Sequence, residues 1–258
     1  MKKDQKTRWN FAAQQFDQLP IPQWGSDPFL KLLEDLPVWG GDSKMLDLGC
    51  GAGRYTIAMA PRCQLVVGSD IAEDMVNFTN RKKELHQADN VTFRCEDWEN
   101  VDLQTDGYEK QFDLVVAHMT PALSSLEALE KMDRSSKGYC AMAAHYKRED
   151  PLQEELQSLL GIQQRKRSKI PEFFSYLYER GKCPQVSYYF RDDSREMAEE
   201  EAVQFWKNRM MFSMDLTMEQ EREIERFVSR HTQNGRLNNP VRSTIVAMIW
   251  KSKEERNE

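Results

Sequence analysis

The chain has 258 residues, of which 40% are hydrophobic and 30% charged, with a formal net charge of −6. That length suits one large α/β domain, or one domain with an insertion. The acidic balance argues against a general phosphate-binding surface and so counts against nucleic acid as a partner, and no stretch reads as a membrane-spanning helix.

Five cysteines (Cys50, Cys63, Cys95, Cys140, Cys183) are scattered with no C-x-x-C pair. This is the pattern of neither a disulfide framework nor a zinc site, so no metal site is predicted. Reduced thiols, and the lack of an apolar run after Met1, set the cytoplasm as the expected location.

In chain order, residues 9–17 read as an amphipathic helix carrying Trp9, Ala13, Phe16 and Asp17, followed by a proline-rich turn at 20–25. Residues 45–48 form a first short strand that includes Asp47 and runs into Gly49-Cys50-Gly51-Ala52-Gly53. Glycine at alternate positions permits φ > 0 and leaves the peptide planes open to a ligand. The next helix, 54–60, aims its free N–H groups at whatever the loop holds. A dinucleotide fingerprint, G-x-G-x-x-G or A, needs its third small residue where Arg54 stands counting from Gly49, or where Thr56 stands counting from Gly51. Neither residue fits, so NAD and flavin are disfavoured.

A second strand at 64–69 is followed by Asp70, 21 residues after Gly49, where a carboxylate can accept both hydroxyls of a ribose. The helix over 72–88 places Met75, Phe78 and Leu85 on one face. Strands follow at 91–95, 112–117 and 137–144, with a helix at 123–132 before the last of them. Alternating strands and helices imply parallel strands joined by right-handed crossovers. Residues 151–160, 171–180, 198–211 and a segment starting at Thr217 read as helices, the last with Gln220 completing a capping box. The aromatics from Phe173 to Phe190, together with Trp206, either line an apolar or planar substrate pocket or form the core of a helical cap. Residues 163–169 are a basic loop, either a solvated connector or a contact for acidic substrate or RNA. The chain closes on a β-branched strand at 242–250, with 185–190 as its expected partner.

Asp47 followed by Gly49, Gly51 and Gly53 resembles the first motif of class I S-adenosylmethionine methyltransferases, of the type acting on small molecules. The resemblance covers residues 9–145 and thins beyond them. It implies a doubly wound, mostly parallel seven-stranded sheet with an antiparallel C-terminal strand and a helical insertion. The expected organisation is a helical lid at 1–40, a cofactor-binding core at 41–148, a helical cap at 149–241, and the last strand with a charged tail at 242–258. The implied cofactor is S-adenosyl-L-methionine (SAM). Its candidate contacts are Asp47, Gly49, Cys50, Gly51, Gly53, Asp70, Ile71 and Met75, with Asp97 for the adenine amino group and Trp98 stacked or packed nearby. Met75 and Trp98 are equally readable as core residues.

The loop at 118–121, His118-Met-Thr-Pro, follows the fourth strand, where ligands of open α/β sheets bind. It is not the Asn-Pro-Pro-Tyr loop of methylases acting on base amino groups. His118 is a candidate for the cofactor or for a substrate proton, and His145 and Tyr146, just past the fifth strand, are the other catalytic candidates. Methyl transfer from a sulfonium needs positioning more than a dyad, and no dyad stands out. The expected reaction is transfer to oxygen, nitrogen or carbon of a small molecule. The alternatives are an RNA or protein methyltransferase, or a module that binds SAM or S-adenosylhomocysteine (SAH) without turnover. The oligomeric state has no signature in the sequence.

Overall fold

The computed structural model describes residues 4–162, 168–212 and 214–252. Most of the basic loop and the charged tail lie outside them. Two helices open the chain, α1 (Gln5–Asp17) and α2 (Pro28–Glu34). The sequence reading missed α2, although its start is encoded locally. Asp27 accepts from the N–H groups of Phe29 and Leu30, both at 3.0 Å, and Pro28 presets φ in the first turn.

Strands and helices then alternate: β1 (Gly40–Leu48), α3 (Arg54–Met59), β2 (Cys63–Asp70), α4 (Glu73–Leu85), β3 (Val91–Cys95), β4 (Phe112–His118), α5 (Leu126–Ser135) and β5 (Ser136–Glu149). After these come α6 (Pro151–Leu159), α7 (Ile170–Glu179), β6 (Gln185–Asp192), β7 (Arg195–Ala198), α8 (Glu199–Met211) and α9 (Met218–His231). The last strands are β8 (Thr232–Gln233), β9 (Arg236–Asn239) and β10 (Arg242–Lys251).

Seven strands form one sheet in the order β3-β2-β1-β4-β5-β10-β6. It is mostly parallel with one antiparallel strand, and helices flank it. As the sequence reading expected, β10 lies next to β6. Asp47 of β1 pairs with Gly68 on one side and with Val116 on the other. The chain therefore reverses its direction of travel across the sheet between β1 and β4. That is the switch point at which such sheets open a crevice beyond their carboxyl ends.

The chain is organised as two compact units. The sheet unit comprises residues 9–144, 169–188 and 246–252, taking the described ones. Its core packs Leu46, Leu48, Val115, Cys140, Val246 and Met248 of the sheet against Leu129, Met132, Phe173 and Leu177 of α5 and α7. Trp250 is buried there and donates its indole N–H to Asp133 at 2.8 Å. Leu85, expected on the buried face of α4, is 77% exposed, because it stands in the final turn beyond the packed residues Met75, Val76 and Thr79.

The second unit comprises the described residues of 4–8, 145–168 and 189–245. Its core gathers Leu156, Trp206, Ile224, Phe227 and Leu237. Trp206 and Phe227 meet edge to face at 6.2 Å. The capping box of Thr217 and Gln220 forms as expected. The sequence reading did not foresee the small sheet β7-β9-β8. Its strands are two to four residues long and mostly polar, so no alternation marks them. Strand β5 also runs further than expected, so His145 and Tyr146 lie within it rather than past its end.

Candidate functional site

The site is built on the glycine loop between β1 and α3. All three of its glycines have positive φ, at 61°, 54° and 73° for Gly49, Gly51 and Gly53. They answer to different demands. A Cβ on Gly49 would stand 1.8 Å from the Thr120 hydroxyl oxygen, so this glycine lets the β4–α5 loop close on β1. A Cβ on Gly53 would meet Thr79 at 2.9 Å and Phe93 at 3.2 Å, so this one admits α4 and β3. A Cβ on Gly51 would meet nothing within 4 Å. Gly51 alone of the three faces open space, and it is the position where a ligand can lie on the backbone.

Asp70 holds the loop from the end of β2. Its Oδ2 accepts the Gly51 N–H and its Oδ1 the Ala72 N–H, both at 2.9 Å. Each carboxylate oxygen keeps a lone pair for a further donor. Burial pushes this carboxyl above its ordinary range, opposed by those backbone N–H groups. Asp47 is 2% exposed and accepts from the Thr56 hydroxyl at 2.6 Å. Burial raises it to about 7, the Thr56 hydroxyl opposes the shift, and the charge of Asp70 adds to it. Burial and the charge of Asp70 both favour the neutral form of Asp47, and Asp70 is the carboxyl group that meets the loop.

Cys50 contributes mainly backbone, its N–H donating to Ser69 at 2.9 Å, and burial pushes its thiol up. Ile71 is half-buried next to Asp70. The Glu96 N–H donates to the Asp70 carbonyl at 2.9 Å, which brings Asp97 to the same edge of the sheet. The Asp97 carboxylate caps the short turn after β3, accepting from the Glu99 N–H at 3.1 Å and the Asn100 amide at 2.9 Å. Met75 is buried with Ala13, Ala52 and Ala72, directly beneath the loop. Trp98 is 3% exposed, and its indole N–H donates to the Ala128 carbonyl at 3.1 Å. It is a packed core residue.

His118 ends β4, two residues past Val116, the partner of Asp47. Its ring lies 4.1 Å from Tyr55 and 4.7 Å from Phe29. The Tyr55 hydroxyl donates to Asp27 at 3.0 Å. Asp27, Phe29 and Tyr55 thus brace His118, and the sequence reading missed all three. Only Asp27 had a local signal, as the residue before Pro28. Met119 follows at φ 54°, an uncommon value for a non-glycine residue, with its N–H fixed to the Ala143 carbonyl at 2.8 Å. Glu96 was also missed. It accepts from the Tyr108 hydroxyl, and burial raises its carboxyl.

His145 and Tyr146 belong to the second unit. Tyr146 is 57% exposed. Burial lowers His145 to about 4, and the guanidinium groups of Arg148, Arg191 and Arg209 add to the effect.

Among the described residues no helix is long and apolar enough to cross a membrane, and no group of His, Cys, Asp and Glu is placed to hold a metal ion. The model of a family described as a methyltransferase domain matches residues 40–184, more than half of the chain. No curated protein matches the sequence. Several solved structures share the fold. A methyltransferase-like protein of Bacillus halodurans is 17% identical, with 88% of this chain and 99% of that one covered at a TM-score of 0.56. A phosphoethanolamine N-methyltransferase of Haemonchus contortus, solved with phosphomonomethylethanolamine and SAH, is 14% identical at a TM-score of 0.55. Coverage there is 96% of this chain and 58% of that one. A geranyl diphosphate methyltransferase solved with SAM is 15% identical, covering 86% and 83% at a TM-score of 0.50.

Proposed function

The chain belongs to the family of methyltransferase domains, and from that premise we propose that it transfers a methyl group from SAM to oxygen, nitrogen or carbon of a small-molecule acceptor. The observation that carries this reading is the pairing of Gly51, whose Cβ position is open, with Asp70, whose carboxylate grips the Gly51 N–H. When bound, SAM supplies an electrophilic methyl on a positively charged sulfur.

In this reading Asp70 accepts the two ribose hydroxyls through its remaining lone pairs, and Ile71 offers an apolar wall. Asp97 accepts from the adenine amino group. The backbone of Gly49, Cys50 and Gly51 lies along the amino-acid end of the cofactor, with Met75 supporting the loop from below. Asp47, accepting from the Thr56 hydroxyl, ties the end of β1 to the start of α3 beneath the loop. His118, braced by Phe29 and Tyr55, borders the place where acceptor and methyl meet.

The displacement would form a bond to the methyl carbon from an acceptor electron pair, a lone pair on oxygen or nitrogen or a carbon–carbon π pair on carbon, with the carbon–sulfur pair left on sulfur. An acceptor that carries a proton releases it to His118 or to water. Orientation and exclusion of water supply most of the rate. Residues 9–17 of α1 act as a lid in this account, tethered to α4 by the Lys82–Asp17 ion pair at 2.5 Å and by Asn10, which accepts from the Asp74 N–H at 3.1 Å.

Two named structural relatives act on small phosphorylated molecules, which supports the acceptor class. The test is incubation with methyl-labelled SAM and separate small-metabolite, RNA and protein fractions of a cell extract. Label is expected in the metabolite fraction. Label confined to RNA or protein would overturn the acceptor class.

A further inference from the structure

The second unit holds a group of basic side chains that methyl transfer as described does not use. His145 and Arg148 come from β5, Arg191 from β6, Arg195 from β7 and Arg209 from α8. Asp150, the N-cap of α6, sits among them and is buried. Its Oδ2 accepts from Arg148 at 3.0 Å and from Arg209 at 3.3 Å. Its Oδ1 accepts from the Gln153 N–H at 3.4 Å in capping α6. One carboxylate therefore serves two guanidinium groups and a helix end. Arg191 pairs with Asp193 at 2.7 Å.

Arg148, Arg191 and Arg209 act on His145, and Arg148 and Arg195 act on Arg209, with Asp150 and Asp193 as the opposing carboxylates. Arg191 and Arg195 are exposed, and Arg191 is matched by Asp193, so the excess lies inside: Arg148 and Arg209 share the one buried carboxylate of Asp150, with Arg209 Nε donating to the Gln153 side chain at 2.5 Å. Two partly buried guanidinium groups on one carboxylate leave a positive balance that an anion would offset. Burial lowers Arg209 to about 10 and His145 to about 4.

Hydrogen bonding points the same way. Arg148 Nε and His145 Nδ1 are both buried and have no partner among the described residues. Buried N–H groups are nearly always satisfied, so each one left over calls for an explanation. An oxyanion seated among these side chains would accept from Arg148 Nε–H and, in the tautomer protonated at Nδ1, from His145. It would also balance the excess charge. Planar guanidinium donors suit carboxylate and phosphate oxygens.

We propose that His145, Arg148 and Arg209 form an anion-binding site in the second unit, for the carboxylate or phosphate group of a small-molecule ligand. The assignment is independent of the SAM reading, since none of its residues belongs to the glycine loop.

The test is calorimetric titration of the whole protein with inorganic phosphate and, separately, with acetate. NMR of the His145 ring is followed in parallel. At least one anion is expected to bind saturably and to move the His145 resonances. Arg148→Gln and Arg209→Gln should each weaken binding by about tenfold or more, the scale of one lost charge-assisted bond. Asp150→Asn keeps a capping oxygen for α6 but removes the competing charge, so it should tighten binding several-fold. A cluster that only holds the unit together predicts the reverse, a variant that is less stable and has no gain in affinity. Tighter binding of phosphate than acetate identifies a phosphate ligand, and the opposite order a carboxylate. Absence of saturation with both anions, or equal affinity in wild type and all three variants, overturns the proposal. Asp150→Asn and Arg148→Gln keep the test decisive if Arg209→Gln fails to fold.

Discussion

At the ends of β1 and β2 two carboxyl groups, Asp47 and Asp70, stand close together; beside His145, in the other unit, the guanidinium groups of Arg148 and Arg209 share the one buried carboxylate of Asp150. Burial is the leading cause of the shift in both places. It raises Asp47 to about 7 and lowers His145 to about 4. In each case the low-dielectric surroundings favour the neutral form. The proposed ligands differ accordingly: SAM, with its positively charged sulfur, at the glycine loop, and an anion at the second cluster. Asp70 and Arg148 each keep bonding capacity that their own neighbours do not use.

The contrast is open to direct attack, and its largest effect is expected at Asp47. Its folded pKa is raised, so between about 4 and 7 the folded chain binds more protons than the unfolded one. Stability is therefore full at low pH and declines as pH rises through that window, by on the order of 4 kcal/mol for a shift of about three units. Asp47→Asn should flatten this slope in urea unfolding measured from pH 4 to 8. An unchanged slope would mean that Asp47 is ionised as readily as in water.

Asp70→Ala comes next. It removes the acceptor for the Gly51 and Ala72 N–H groups together with the proposed ribose contact, and should cost about 3 kcal/mol of SAM affinity, roughly a hundredfold. An equal dissociation constant by calorimetry would take Asp70 out of the site.

His145 should show the mirror image of Asp47. Its folded pKa is lowered, so its contribution is present above about 6.5 and is lost as pH falls through about 4. Because His145 is only partly buried, solvent screening reduces the effect to about 1–2 kcal/mol. His145→Gln should remove that acid-side loss; if it does not, the supposed symmetry between the regions fails.

The smallest and sharpest comparison is between two glycines of one loop. Both have positive φ, so alanine strains either by about 1–2 kcal/mol. Gly49→Ala adds a collision with Thr120, so it should lower the unfolding midpoint much more than Gly51→Ala does. Gly51→Ala should instead weaken SAM binding by about tenfold while the fold persists. Thr120→Gly should partly rescue Gly49→Ala and leave Gly51→Ala as it was. Identical profiles for the two variants would refute the division of labour among the glycines.

The two regions also differ in how far the sequence discloses them. The glycine loop is local. Positive φ at Gly49, Gly51 and Gly53, and a carboxylate at the end of the next strand, are written into residues 47–70, and the parallel sheet follows from the same alternation. The cation cluster is assembled from residues 145–209 on four elements, and no spacing along the chain encodes it. Tyr55 and Phe29 carry no local signal for the same reason, since their contact with His118 arises only when α2 and α3 meet the end of β4. Aromatic content alone could not separate Phe173, which is buried in the sheet unit, from Tyr178, which is 63% exposed five residues later. Helix geometry decides that, through which face of α7 meets the sheet.

The most direct test of the central claim is calorimetric titration of the whole protein with SAM, SAH and NAD in parallel. The account predicts saturable binding of SAM and SAH at about micromolar concentration, lost on Asp70→Ala, with no heat from NAD. Binding of NAD in place of SAM and SAH, or no binding of any of the three by a folded protein, would contradict it.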